Sequence, residues 1–266
     1  MRSVLITGAS SGIGEATAGH LAARGWRVFG TSRSARAPGD RPGVEFLVMD
    51  VCDADSVDRG VAQVLEECGQ LDAIVCNAGN SIYGAVEDVE IEAARAQFET
   101  NFYGVLRVLR ACLPSMREKG RGRVVIVGSL AGRAPIPFQA HYSASKAALD
   151  ALSGALRNEV AGFGLHVSLV EPGDVNTPFN EAMQWSTSPA GSAYREGLSR
   201  AESVIRESLP KAPPAEDVAR CIERALDAAS PRARYTVGDS SWLVPFARRF
   251  LPDRISLALI KRHFRL

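Results

Sequence analysis

Tyr142 and Lys146 stand four residues apart in the segment Gln139-Ala-His-Tyr142-Ser-Ala-Ser-Lys146-Ala-Ala-Leu149, which is rich in helix formers. Residues at that spacing share one helical face, so the two side chains should reach the same site. A tyrosine of ordinary pKa about 10 is a poor proton donor or acceptor near neutrality, and a neighbouring ammonium favours the phenolate and lowers that pKa. Ser129, closing the apolar run Val124-Val-Ile-Val-Gly128, could hydrogen-bond a substrate oxygen as charge builds on it. Together they are suited to moving a proton at a carbonyl or alcohol oxygen.

A second constellation lies near the start of the chain. Val4-Leu-Ile-Thr7 passes into Gly8-Ala-Ser10-Ser11-Gly12-Ile13-Gly14 and then directly into helical spacing. Glycines let the backbone approach a pyrophosphate, and the helix N-terminus offers unpaired N–H groups and a positive dipole end. The spacing is G-x-x-x-G-x-G rather than G-x-G-x-x-G, and an ordinary glycine turn is the alternative reading. About twenty residues on, a site for NAD carries an acid against the adenine ribose, whereas NADP needs a cation. Here stand Thr31-Ser32-Arg33, with no acid, and Arg33 can offer its planar fork to a phosphate. NADP(H) is expected over NAD(H).

These residues need a frame. Short β-branched runs at Val4–Thr7, Arg27–Thr31, Val44–Met49, Ala73–Cys76, Val124–Val127 and His166–Val170 alternate with helical spacing at about 13–24, 54–67, 90–118, 141–161 and 215–228. Such alternation predicts a doubly wound α/β fold, a parallel sheet with helices on both faces. The 266 residues are read as one domain, interrupted by a lid at about 178–213 and followed by a tail at about 239–266.

The set Thr7 to Gly14, Cys76-Asn77-Ala78-Gly79, Asn101, Ser129, Tyr142-x-x-x-Lys146 and Pro172-Gly173 resembles the short-chain dehydrogenase/reductase family, in order and spacing over residues 3–177. The resemblance implies a seven-stranded Rossmann-type sheet and hydride exchange between NADP(H) and a carbonyl or secondary alcohol. It implies Tyr142 as acid/base, Lys146 binding the nicotinamide ribose and lowering the tyrosine pKa, and Ser129 orienting the carbonyl. Asn101 matches the asparagine that holds a proton-relaying water, its alternative being a polar residue of a helix interior. Asp50-Val51 resembles the pair at adenine, Asn77-Ala78-Gly79 the turn beside the adenine ribose, and Pro172-Gly173, Val175 and Thr177 the segment at the nicotinamide. Two departures stand out. Cys76 replaces an asparagine, a change expected to be tolerated in the core, and the tail extends beyond shorter family members. The tail puts the common tetramer in doubt, so a homodimer through 90–118 and 141–161 is expected, a homotetramer being the alternative.

Phe138, Phe179, Met183 and Trp185 are expected to line the substrate pocket and suggest an apolar ketone, aldehyde or alcohol of steroid or retinoid type, plain packing being the alternative. Arg133 could instead greet an anionic or carrier-bound substrate. The four scattered histidines and the absence of a C-x-x-C pair argue against zinc. A dinucleotide-sensing protein without turnover and an NAD-preferring alcohol dehydrogenase are the rival readings.

The five cysteines point to a reducing, cytoplasmic setting, and no run is apolar enough to span a membrane. The net charge of +1 gives no reason to expect nucleic acid as a partner. It conceals an uneven distribution, because residues 240–266 hold Arg248, Arg249, Arg254, Lys261, Arg262 and Arg265 against Asp253 alone. Such a tail could meet an acidic membrane surface peripherally or pack on its own domain.

Overall fold

The computed structural model describes the chain apart from residues 38, 178, 180–183, 186–188, 190, 239–242, 244, 245 and 247–249, with the backbone alone at 184 and 185. In chain order the first elements are β1 (Ser3–Ile6), α1 (Gly12–Ala23), β2 (Arg27–Ser32), β3 (Val44–Val48), α2 (Ala54–Cys68), β4 (Ala73–Cys76) and β5 (Ile82–Tyr83). There follow α3 (Ile91–Phe98), a π turn (Glu99–Tyr103), α4 (Gly104–Lys119), β6 (Gly122–Val127), α5 (Ala140–Val160) and β7 (Leu165–Pro172). The chain continues with β8 (Gln184–Trp185), α6 (Arg195–Ser208), α7 (Ala215–Asp227), β9 (Arg234–Val237) and α8 (Asp253–His263).

Seven strands form one parallel sheet in the order β3-β2-β1-β4-β6-β7-β9. Parallel neighbours need crossovers, and right-handed crossovers carry the helices to both faces. Successive strand residues point to opposite faces. Leu5, Ile74, Val124 and Ile126 therefore meet α2, α4 and α5, while Val4, Ile6, Val75 and Val125 meet α1 and α7. The chain winds outward from β1 in both directions, so the strand order reverses between β1 and β4. That reversal opens a crevice at the strands' C-terminal ends, where ligands of such sheets bind.

The doubly wound expectation holds, and β9 supplies the seventh strand. The helix expected over 90–118 is divided: α3 and α4 flank the π turn, where one extra residue widens the coil at Asn101. Within the expected lid, α6 is a full helix with Leu198, Ala201, Val204 and Ile205 buried. Ala201, Val204 and Ile205, together with Tyr83 of β5 and Phe264, form a third apolar cluster. The end of the tail thus packs partly on its own chain, with Ser256 and Phe264 buried. Among the described residues no helix is long and apolar enough to cross a membrane.

Candidate active site

One cavity of about 900 Å³ runs along the crevice from the loop after β1 to α8. Its nucleotide end is made mostly of backbone. Gly8 and Gly12 have φ of +65° and +56°, values that favour glycine. A Cβ on Gly14 would lie 2.2 Å from the Gly8 carbonyl oxygen, so α1 can approach the loop only with glycine there. Ser11, the residue before α1, makes no side-chain cap, which leaves the first N–H groups of α1 available to a ligand. Asn77 holds this end together: its Nδ2 donates to the carbonyls of Thr7 and Gly8 at 3.0 and 3.1 Å, while the Thr7 hydroxyl accepts from the N–H of Asn77 and Ala78.

Ser10, Ser11, Gly12 and Ile13 line the cavity, as does Gly8. Arg33 lies on the wall at the end of β2, and Asp50 and Val51 line it beyond β3. Asn77, Ala78 and Gly79 line it after β4, and Pro172, Gly173, Val175 and Thr177 after β7. Gly14 lies behind the loop. Arg36, which sequence reasoning passed over, donates to the Ser10 carbonyl and so closes over the glycine loop. Its exposed loop position offers no periodic signal.

At the other end, α5 presents Tyr142 and Lys146 one turn apart, and Ser129 stands just past β6. All three line the cavity. The Lys146 Nζ donates to the Val127 carbonyl at 2.9 Å and lies 5.7 Å from the centre of the Tyr142 ring. Burial pulls the Lys146 ammonium from 10.5 down to about 8. Burial also raises the Tyr142 hydroxyl above its ordinary value, against a hydrogen bond from Ser129 that lowers it. The Tyr142 shift is thus upward, opposite to the lowering expected from Lys146, with desolvation of the phenolate its largest cause.

Asn101 sits behind the wall rather than on it. The π turn aims its Nδ2 at the Asn80 carbonyl and the Ser145 hydroxyl, both at 3.0 Å, and its Oδ1 accepts from the Asn80 N–H at 2.8 Å. It fixes the Asn80 loop, which is cavity wall, against α5.

The substrate end is apolar. Phe179 lines the cavity with its ring centre 6.5 Å from that of Tyr142. Phe138, expected on the wall, packs instead into the third cluster; its φ of +62° turns it there, and its carbonyl accepts from Gly84. Met183 and the side chain of Trp185 lie outside the described residues, although the backbone at 184–185 pairs with β5. Arg133 is committed to Glu171, 2.7 Å away and 1% exposed, and does not line the cavity, so it is not set to greet an anionic substrate. Tyr83, Val204, Ile205, Leu209, Ile260 and Phe264 complete this end, all unforeseen. The spacing of Leu198, Ala201, Val204 and Ile205 was the available signal for the α6 wall.

Residues 2–187 match the family model of the short chain dehydrogenases. The chain belongs to the short-chain dehydrogenase family. Members of that family are NAD(P)-dependent oxidoreductases acting on alcohol and keto groups. This short-chain dehydrogenase is 44% identical over 179 residues to a 3-ketodihydrosphingosine reductase of Bacteroides thetaiotaomicron, an alignment covering 67% of this chain and 65% of that protein. The match thus spans just under two thirds of that relative. It is 36% identical over 275 residues to estradiol 17-beta-dehydrogenase 1 of Rattus norvegicus, covering 94% of this chain and 77% of that one. Among solved structures, a short-chain dehydrogenase from Streptomyces avermitilis superposes with a TM-score of 0.82 at 33% identity, over 98% of this chain and 95% of that one.

Proposed function

We propose that this short-chain dehydrogenase exchanges a hydride between NADP(H) and the carbonyl or secondary alcohol of an apolar substrate, with Tyr142 transferring the proton. The observation that carries the reading is one continuous cavity with a glycine loop and open helix N-terminus at one end and Tyr142, Ser129 and Lys146 at the other.

The residues fit a nicotinamide dinucleotide. Gly8 to Ile13 would hold its pyrophosphate, Asp50, Val51 and Asn77 to Gly79 its adenosine, and Pro172, Gly173, Val175 and Thr177 its nicotinamide. When bound, the group supplies or takes the hydride. Tyr142, whose hydroxyl pKa burial raises above its ordinary value, is set to give its proton to a carbonyl oxygen in the reductive direction and to take it back in the oxidative one. Ser129 donates to the same oxygen and stabilises the charge that builds there. Lys146 binds the nicotinamide ribose and carries positive charge beside Tyr142, and Asn101 acts as a positioning residue through Asn80 and Ser145.

Preference for NADP(H) is supported by Arg33 on the cavity wall, by the lack of an acid at the end of β2, and by Arg36 over the Ser10 carbonyl. An apolar substrate is supported by Phe179, Ile205, Ile260 and Phe264, and by relatives named for a ketodihydrosphingosine and for estradiol. The proposal includes a pair of copies meeting through the α3–α4 segment and α5, and a cytoplasmic setting for the free thiols.

Titration with NADPH and NADH, followed by absorbance-monitored oxidation over a panel of apolar ketones and aldehydes, tests the reading. Tighter NADPH binding with turnover is expected. Nucleotide binding without turnover across the panel would favour a dinucleotide sensor, and absence of binding would overturn both. Arg33→Asp should reduce the NADPH-to-NADH affinity ratio by roughly tenfold, through repulsion at the phosphate. An unchanged ratio removes Arg33 from the site.

A further inference from the structure

The tail presents a surface the proposed reaction does not use. Six of the thirteen large apolar side chains exposed among the described residues fall between 243 and 259: Leu243, Phe246, Phe250, Ile255, Leu257 and Leu259, each 45–62% exposed. A soluble monomer rarely concentrates apolar surface in this way without a partner for it. Leu243, Phe246 and Phe250 follow helical spacing, and the Phe246 and Phe250 rings lie 4.6 Å apart. In α8 Ser256 and Ile260, and just after it Phe264, turn inward, leaving Ile255 and Leu259 beside Arg254 and Arg262 in a shallow groove with Pro252 and Ala258.

The same surface is cationic. Arg254, Lys261 and Arg262 are exposed and form no ion pair among the described residues, whereas Arg265 is held by Glu207 at 2.7 Å. The large cavity that reaches Tyr142 also extends to this surface, because Leu259 lines both it and the groove.

We infer that the tail docks on the surface of an anionic lipid bilayer, laying its exposed apolar side chains into the headgroup boundary and its arginines and lysine against lipid phosphates. Apolar side chains interleaved with cations along α8 and the exposed rings before it match the chemistry of an interfacial segment, and neither feature alone would. A second copy of this chain is a poorer occupant. A twofold contact would bring together two copies of this one cationic patch, with Arg254, Lys261 and Arg262 from each, and like charges gathered in one interface oppose pairing. A bilayer occupant also gives the position of Leu259 a consequence: the cavity mouth faces the apolar phase, so an apolar substrate enters without crossing water. That last consequence rests on the proposed function, but the docking itself does not.

The test sediments the purified full chain, without cofactor or substrate, with vesicles of phosphatidylcholine alone or carrying about 30 mol% phosphatidylglycerol. Partition at least about tenfold greater onto the anionic vesicles is expected, falling at about 0.5 M salt. Ile255→Glu and, separately, Arg254→Glu should each reduce it several-fold with an unchanged far-ultraviolet spectrum and melting temperature. Neither residue lines the large cavity, so two independent variants keep the test open if one misfolds. Parent protein left in the supernatant, equal binding to both vesicle types, or full binding by two folded variants would overturn the inference. So would a shift from dimer to monomer in Ile255→Glu by sedimentation velocity without lipid, which would make a second copy the occupant. Because the readout needs no nucleotide or turnover, its failure is distinct from failure of the proposed reaction.

Discussion

The two ends of the cavity are built differently. The nucleotide end comes mainly from backbone at strand termini, where Gly8, Gly12 and Gly14 have almost no freedom to change and Asn77 bonds two turns to each other. The substrate end comes from side chains on segments far apart in the chain: Tyr83, Phe179, Val204 and Ile205 of α6, Ile260 and Phe264 of α8. The first is sterically fixed by backbone, and the second is a cluster of apolar groups that can be exchanged for others of similar volume. Chemistry belongs at their junction, where α5 delivers Tyr142 and Lys146.

The junction should show the largest effect. Tyr142→Phe keeps the ring and removes one hydroxyl, so turnover should fall by about 10³-fold or more while NADPH affinity stays within about twofold. Turnover within tenfold of the parent would remove Tyr142 from its role. Next comes the fixed end. Gly14→Ala places a methyl against the Gly8 carbonyl and the Asn77 amide, neither of which can retreat without breaking the turn. A loss of about 3 kcal/mol or more in unfolding free energy is expected, with loss of nucleotide binding, measured by denaturant melts and titration. A folded variant that still bound NADPH as the parent does would show that the loop yields more than its geometry says.

This contrast explains what could be read from the sequence. The glycine loop, the strands and the Tyr142, Lys146 and Ser129 set were legible because each is a local pattern whose residue types have one geometric use. The π turn at Asn101 was not, since an extra residue in a helix leaves the apolar spacing of α3 and α4 nearly intact. The direction of the Tyr142 shift was missed because desolvation depends on everything that covers the ring, while the ammonium four residues away is visible in the sequence. The α6 wall was obscured by flanking Pro, Ser and Gly residues, although Leu198, Ala201, Val204 and Ile205 carried the helical period. Phe138 was misplaced because a left-handed backbone at a non-glycine residue turns its ring away from the direction a regular segment would give it.

The buried lysine gives a test of intermediate size. Its pKa in the folded protein, about 8, lies below the ordinary 10.5, so between these values the unfolded chain binds more protons and stability rises with pH. The desolvation penalty is complete below about pH 8 and gone above about 10.5. Lys146→Met removes this slope. The parent-minus-variant difference in unfolding free energy should therefore grow in the parent's favour from pH 8 to 10.5, by up to about 3 kcal/mol. A difference that is flat with pH would mean that Lys146 keeps its ordinary pKa in the folded protein and that burial does not decide its charge.

The smallest effect belongs to the adaptable end and bears most directly on whether the two ends are independent. Phe264 packs with Tyr83, Ala201, Val204 and Ile205 and faces the cavity. Phe264→Leu keeps an apolar side chain but shortens it, a change worth about 1 kcal/mol in such a cluster. KM for a bulky apolar ketone should rise by up to about fivefold, since the lost contact is made equally to ground and transition states, and kcat should hardly move. The NADPH dissociation constant should not change, because the cluster contains no residue of the glycine loop. A parallel fall in nucleotide affinity would mean that the tail and α6 close over both ends together, and the apolar wall would then be part of the cofactor site rather than a separate, exchangeable selector of substrate.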